Sequence, residues 1–176
     1  MPALLPTQST VATDLRFAIG ECALGALLVA WSERGISAIE LADDRDRLVA
    51  DFLSRSPEAA PVLSGGEVTH LLRAVSRFIE NPAGGLDHPL DIQGSAFEQR
   101  VWAALRAIPA GRTASYSEIA RRIGAPKAVR AVARACASNR IAVAIPCHRV
   151  VGQQGALTGY RWGIERKAAL LERERR

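Results

Sequence analysis

Near the N-terminus apolar and polar positions alternate, then run together, and alternate again. Leu15-Arg16-Phe17-Ala18-Ile19 alternates, residues 24–31 form a nearly continuous apolar run, and Ile36-Ser37-Ala38-Ile39-Glu40-Leu41 returns to period two. Ser32-Glu33-Arg34-Gly35 has turn chemistry, so the pattern predicts a hairpin with a neighbouring strand. The period then changes. Residues 43–54 open on acidic residues and place Leu48, Val49, Phe52 and Leu53 at helical spacing. Residues 67–80 repeat this with Val68, Leu71, Leu72, Val75 and Phe78. A third stripe, Phe97, Val101, Trp102, Leu105 and Ile108, stops at Pro109-Ala110-Gly111. The expected fold class is α/β (α+β): a small sheet-plus-helices domain over 14–90, then a mostly helical domain over 95–176. The Pro/Gly/Asp-rich stretch 81–94 is the expected boundary, and residues 1–13 read as a flexible polar arm.

In the helical half, Ser115-Tyr116-Ser117-Glu118 fits a capping box, with Ser115 as N-cap and Glu118 three residues on. Gly124 suits a helix end, and Ala125-Pro126 restarts a helix running through Asn139. Two helices joined in this way predict a helix-turn-helix over 115–139. On the second, Lys127, Arg130 and Arg134 fall on one face among Ala128, Ala131 and Ala135, with Val129, Val132, Ala133 and Cys136 opposite. Charge for phosphates without bulk is what a groove-binding helix needs; a merely solvated basic helix is the alternative.

The apolar run 141–145 delivers Pro146, Cys147 and His148 into a turn over 145–151. A thiol there is either inert core or a nucleophile activated by a neighbouring base. Neighbours in extended chain point to opposite sides, so a water bridge between Cys147 and His148 is expected rather than direct contact.

Composition narrows these choices. Three widely spaced cysteines among 176 residues, with no zinc-ligand spacing, argue for a reducing compartment and against a disulfide framework or structural metal. No segment has the ~20 apolar residues of a membrane span and the N-terminus lacks a signal-peptide pattern, which makes the cytoplasm the expected location. Charge is asymmetric: residues 1–96 carry 7 basic and 13 acidic side chains, residues 97–176 carry 16 and 5, within a net +5. A strongly basic half points to nucleic acid or an anionic membrane.

Four segments in order, 115–120, 126–132, 145–151 and Gly159-Tyr160-Arg161-Trp162-Gly163, resemble the O6-alkylguanine-DNA alkyltransferase family. The likeness runs from about Leu15 to Glu174 and includes Cys22-Ala23-Leu24-Gly25 and Ser32-Glu33-Arg34-Gly35-Ile36. It implies irreversible transfer of a methyl group from O6-methylguanine, and from O4-methylthymine, to Cys147, one turnover per molecule and no cofactor. It further implies a monomer acting on double-stranded DNA that contains alkylated guanine, at the nucleoid and without membrane association. The zinc ligands of some members have no counterpart, so no metal is implied.

The same resemblance assigns roles. His148 relays the Cys147 proton through water, Glu174 stands behind His148, Lys167 lies near the thiol, and Asn139 holds the turn. Tyr116 helps rotate the nucleotide and bonds guanine N3; Arg130 fills the space of the extruded base, from a helix presented to the minor groove. Ser117 and Gln153 match DNA-contacting positions; Ala125 and the basic-face residues Lys127 and Arg134 are the further DNA-binding candidates. The carbonyls of Cys147 and Val150 accept from the guanine amine, and the Arg161 N–H donates to O6. Residues 158–162, with Thr158 and Tyr160, form the pocket lip, where the bulk of Thr158, Arg161 and Trp162 implies methyl transfer over larger groups. Two other readings remain from the residues alone: a non-catalytic helix-turn-helix regulator, and a Cys-His-Glu hydrolase with repeated turnover.

Overall fold

The alternating N-terminal segments pair as expected. In the computed structural model, which describes residues 14–176, β1 (Arg16–Cys22) and β2 (Gly25–Ser32) form an antiparallel hairpin, and β3 (Gly35–Ala42) pairs antiparallel with β2. The arm expected over 1–13 lies outside the described residues. Gly35 is required at its turn: its φ is +137°, and a Cβ there would collide with the Pro89 carbonyl oxygen. A fourth strand, β4 (Ala60–Pro61), adds parallel to β1, giving the order β3-β2-β1-β4. Its two residues, one a proline, gave no strand signal; proline is tolerated because β4 is an edge.

Both faces of this sheet are covered. Leu28, Ala30, Phe17 and Ala38 pack under α1 (Arg45–Arg55) through Leu48 and Phe52. Asp44 caps that helix, its carboxylate accepting from the Arg47 N–H at 2.7 Å. Leu27, Val29, Ile36 and Ile39 face the other way, onto Val75, Phe78 and Ile79 of α2 (Gly66–Glu80). The same apolar cluster continues into α3 (Ala96–Arg106), α4 (Tyr116–Arg122), α5 (Val129–Ser138) and α6 (Ile164–Glu174), through Trp102, Ile119, Val132 and Leu170. Among the described residues no helix is long and apolar enough to cross a membrane.

Two contacts tie the sheet to the helical half. The Ile39 N–H donates to the Arg140 carbonyl and the Ala142 N–H to the Ile39 carbonyl, both at 2.9 Å, so Ile141 makes a single parallel bridge to β3. A second small sheet pairs β5 (Ala114–Ser115) with β6 (Val150–Val151) in parallel. It joins the start of α4 to the turn that carries Cys147.

The second basic helix departs from expectation. It begins at Val129, not at Ala125-Pro126. Residues 125–128 make a separate turn, closed by the Ala128 N–H on the Ala125 carbonyl at 2.8 Å, and the first bond of the helix proper runs from Val132 to Ala128. Proline favours a first turn but equally starts a β-turn, and here the turn wins. Lys127 therefore lies ahead of the helix rather than on a face shared with Arg130 and Arg134. The face assignment also shifts by one alanine: Ala135 is 1% exposed, whereas Ala133 is exposed. Ala135 is buried with Val132 and Cys136, and the Trp102 indole N–H donates to its carbonyl at 2.8 Å.

Candidate active site

The chain approaches Cys147 through two very tight turns. The Ala144 N–H donates to the Ala142 carbonyl at 2.7 Å across Val143, and the Cys147 N–H to the Ile145 carbonyl at 2.8 Å across Pro146. Val143 has φ +68° and is 1% exposed. A buried β-branched residue in the left-handed region is strained and persists only where its surroundings over-determine it. Asn139 supplies much of that determination. Its amide donates to the Ile145 carbonyl at 2.9 Å and to the Cys147 Sγ at 3.2 Å, and its Oδ1 accepts from the Ile141 N–H at 2.9 Å.

Residues Cys147–Arg149 form a 3-10 turn, not the extended chain expected, with the Val150 N–H on the Cys147 carbonyl. The turn sends His148 toward the C-terminal helix, where His148 Nε2 lies 2.8 Å from Glu174 Oε1. Both side chains are fully buried. Glu174 is thus no solvated tail residue, which is what its place in the chain alone suggests. The opposite ring atom, His148 Nδ1, is buried without a partner.

Arg149 completes this cluster, a part that nothing local in the sequence marks. Its guanidinium donates to Glu174 from Nε at 3.1 Å and from Nη2 at 2.8 Å, and from Nη1 to the Ile108 carbonyl at 2.6 Å. With two donors on it, the Glu174 carboxyl is held down at about 2 even though burial alone would raise it. Burial pushes the His148 imidazole below its ordinary value against the pull of Glu174, so the resting ring is neutral near pH 7.

The thiol itself is 4% exposed. Burial pushes it up to about 11, while the Asn139 amide and the Lys167 ammonium pull the other way. At rest it is a protonated thiol rather than a standing thiolate. Lys167 is 0% exposed; its Nζ donates to the Thr158 carbonyl at 2.7 Å and the Gly159 carbonyl at 3.3 Å, fixing the 158–160 loop. Tyr116, at the start of α4, is half-buried and meets Thr158 from the other side; burial raises its phenol, and both Cys136 and Cys147 add to the rise. Tyr160 stands edge-on to Trp162 with centroids 5.3 Å apart, and its hydroxyl is buried without a partner.

The remaining candidates divide by position. Arg130, Arg134, Lys127 and Gln153 are exposed, while Ser117 and Ala125 are half-exposed at the two ends of α4 and its following turn. Val150 is fully buried, in β6. Arg161 is exposed and donates to the Ala137 carbonyl at 3.0 Å, closing the end of α5. Trp162 is not part of an open lip: it is 5% exposed and belongs to the main apolar cluster, so its bulk does not narrow the pocket. Cys136 is core, 7% exposed.

Known proteins resemble the chain over most of its length. Residues 96–176 match the family model "6-O-methylguanine DNA methyltransferase, DNA binding domain". Over 160 residues the chain is 50% identical to the Escherichia coli "Bifunctional transcriptional activator/DNA repair enzyme Ada", covering 91% of this chain and 45% of that protein. It is 57% identical over 90 residues to a "Methylated-DNA--protein-cysteine methyltransferase" of Mycolicibacterium paratuberculosis, covering 51% of this chain and 54% of the relative. The chain spans about half the length of these curated relatives. The crystal structure of Mycobacterium tuberculosis OGT in complex with DNA superposes with a TM-score of 0.73 at 36% identity, over 91% of this chain and 92% of that one. With a match of that identity and extent lying over the buried thiol, its histidine and its carboxylate, the chain belongs to the 6-O-methylguanine DNA methyltransferase family.

Proposed function

We propose that this protein repairs DNA by taking the methyl group of O6-methylguanine, and of O4-methylthymine, onto Cys147. The observation that carries the reading is the buried Cys147–His148–Glu174 unit joined, through the β5–β6 pair, to the start of an exposed basic helix pair. The thiol proton passes by way of a bridging water to His148 Nδ1, which is buried and unpartnered; Glu174 holds the other ring nitrogen and supports the imidazolium. The sulfur electron pair then forms an S–C bond as the C–O6 bond breaks. The guanine leaves with that bonding pair and takes back one proton, so thiol plus methylated base becomes thioether plus guanine. Asn139 and Lys167 oppose the effect of burial as charge develops on sulfur. Tyr116 donates to the base, and the 158–161 loop closes over it. The place of action we propose is the cytoplasm, at the nucleoid.

DNA contact falls to the helix pair, which we read as a helix-turn-helix. Arg130 and Arg134 are exposed on α5, Lys127 is exposed in the turn ahead of it, and Gln153 is exposed in a separate turn. Phosphate neutralisation by such groups makes binding salt-dependent and weakly sequence-dependent. Affinity for an unmodified duplex is expected to fall steeply between about 50 and 200 mM salt. A fluorescence-anisotropy titration that shows salt-independent binding, or strong preference for one operator, would favour the regulatory reading instead.

Extruding a base costs a few kcal/mol, and we assign to Arg130, exposed on α5, the filling of the gap it leaves. Arg130→Ala is therefore expected to slow repair of a duplex by about tenfold or more while leaving reaction with free O6-methylguanine unchanged. Equal losses on duplex and free base, measured by methyl incorporation at Cys147 in a peptide map, would remove the arginine from that role. The same map on the native chain tests the whole reading: the methyl must appear on Cys147.

A further inference from the structure

The N-terminal half enters none of these steps, yet it reaches the nucleophile through a buried carboxylate. Glu40 sits in β3 with 2% exposure, amid an apolar sheet. A carboxylate in that position is costly unless it is paired. Arg55, at the end of α1, forks onto it at 2.9 and 2.7 Å. Arg140 Nε comes within 3.6 Å of the same carboxylate. Arg140 also donates from Nη2 to the Ser56 Oγ at 3.1 Å and lies over the Phe52 ring, 5.6 Å from its centroid. Ser56 caps α1 and Phe52 is its central buried residue, so the Arg140 side chain is held entirely by N-terminal elements. Its backbone is held there too, by the Ile39 bonds on either side of Ile141.

The residue before Arg140 is Asn139, where α5 ends and the chain turns extended. Asn139, Arg140, Ile141 and Ile145 border a cavity of about 200 Å³ together with Arg55 and Ser56. The cavity leaves room for movement on that side of the hinge, so the side-chain contacts of Arg140 add to the Ile39 backbone bonds in fixing its position. The terminal torsion of an asparagine is soft, and its N–H···S contact survives only where the backbone beneath it is fixed.

We propose that Glu40 and Arg140 form a latch through which the N-terminal sheet holds the Asn139 amide against the Cys147 sulfur, making Arg140 a positioning residue for methyl transfer. This rests on Cys147 being the methyl acceptor. Donation to sulfur favours the thiolate over the thiol. The other charges acting on the sulfur are those of Lys167 and Arg161, with His148 next in the chain and Tyr116, Tyr160 and Cys136 near enough to feel it; Arg55 and Arg140 pair with Glu40, and Arg161 acts on it at longer range. All but Arg140 stay in place when the latch is opened, so the loss is partial and shows as a pH effect.

Arg140→Met keeps an apolar stem over Phe52 and removes the guanidinium. Two readouts apply: methyl transfer from O6-methylguanine duplex against pH, and iodoacetamide modification of Cys147 against pH by peptide mass. Arg140→Met is expected to transfer about tenfold more slowly at pH 7, to recover as pH rises, and to need a pH about one higher for half-maximal thiol reaction. Arg140→Lys, which keeps a cation beside Glu40, is expected to restore both. An unmoved thiol titration, or a transfer loss equal at every pH, would overturn the latch. Should Arg140→Met not fold, Ser56→Ala removes only the Nη2 acceptor; a smaller shift in the same direction supports the latch, and none counts against it. Native protein that reacts with iodoacetamide at Cys147 but never accepts methyl would instead sink the transferase reading, leaving the latch to stand or fall on the thiol titration.

Discussion

Cys147→Ala is expected to bind duplex DNA as the native chain does and to transfer no methyl at all, while native protein stops at one methyl per molecule. The chemistry leaves no other outcome under the proposed mechanism. A thioether offers no carbonyl for water to attack, and its sulfur is a poor leaving group for every nucleophile at this site. Neither of the other thiols can substitute. Cys136 is core, and burial pushes its thiol up to about 12; burial likewise raises Cys22, which is half-buried at the end of the first hairpin. No imidazole–carboxylate pair stands beside either of them among the described residues. The added methyl must also be housed in a turn that is close-packed and already strained at Val143. Overpacking of this kind costs about 1–3 kcal/mol, so the methylated protein is expected to unfold at lower urea concentration than the free form. Intact mass against time with excess methylated duplex reads the plateau, and peptide mapping locates the methyl. Repeated turnover would move the protein to the hydrolase class, and transfer persisting in Cys147→Ala would overturn the central assignment.

Glu174→Ala is expected to carry the largest stability loss of any substitution considered, about 3–5 kcal/mol at pH 7, because it strands two buried partners. His148 is 0% exposed and Arg149 is 8% exposed, and each makes a short contact to that one carboxylate. The pH dependence distinguishes this from a generic packing defect. The Glu174 carboxyl lies at about 2 in the fold against an ordinary 4.5, so the unfolded chain binds the proton first on acidification. That group's contribution, about 3 kcal/mol, is fully present above pH 4.5 and is lost as pH falls through 2. His148 acts in the same direction but earlier: its folded value lies below 6.5, so the unfolded chain again takes the proton first and stability begins to fall below pH 6.5. Native protein should therefore be progressively acid-labile from pH 6.5 downward. The Glu174→Ala curve should start lower and be flatter between pH 4.5 and 2. Urea midpoints across pH check this, and two parallel curves would mean that the carboxylate is not ionised in the fold. Methyl transfer at pH 7 should fall by about a hundredfold or more, since the histidine loses the group that orients it.

What the sequence determined by itself is the part of this molecule governed by near neighbours. The capping box at Ser115 was legible because its partner is Glu118, three residues away, and the structure has both of its bonds. The first hairpin and β3 were legible because period two with turn residues allows little else, and α1 to α3 because an apolar stripe at helical spacing must be buried. The turn holding Pro146, Cys147 and His148 could be picked out, and the order of four motifs pointed to the family. Residues alone left three functions open.

Tertiary structure decided everything that depends on which distant group arrives. The start of α5 moved to Val129 because a local turn and a local helix are nearly equal in energy at Ala125-Pro126, and packing settles the difference. Ala133 and Ala135 are chemically identical, and the packed core decides which of them turns inward: Ala135 is buried with Val132 and Cys136, where the indole of Trp102 reaches its carbonyl. Glu174 and His148 lie 26 residues apart, and Arg140 and Ser56 lie 84 apart; a carboxylate near the end of a helix of mixed charge carries no local mark of the imidazole it will meet. The resting state of the thiol is likewise a product of the fold, because burial, which raises it, and the Asn139 hydrogen bond and Lys167 charge, which lower it, exist only when α5, the turn and α6 have closed on one another. Local propensity acts over a few residues, whereas desolvation and long-range hydrogen bonding act only through the packed core, so the elements could be read in the chain and the electrostatics of the site could not.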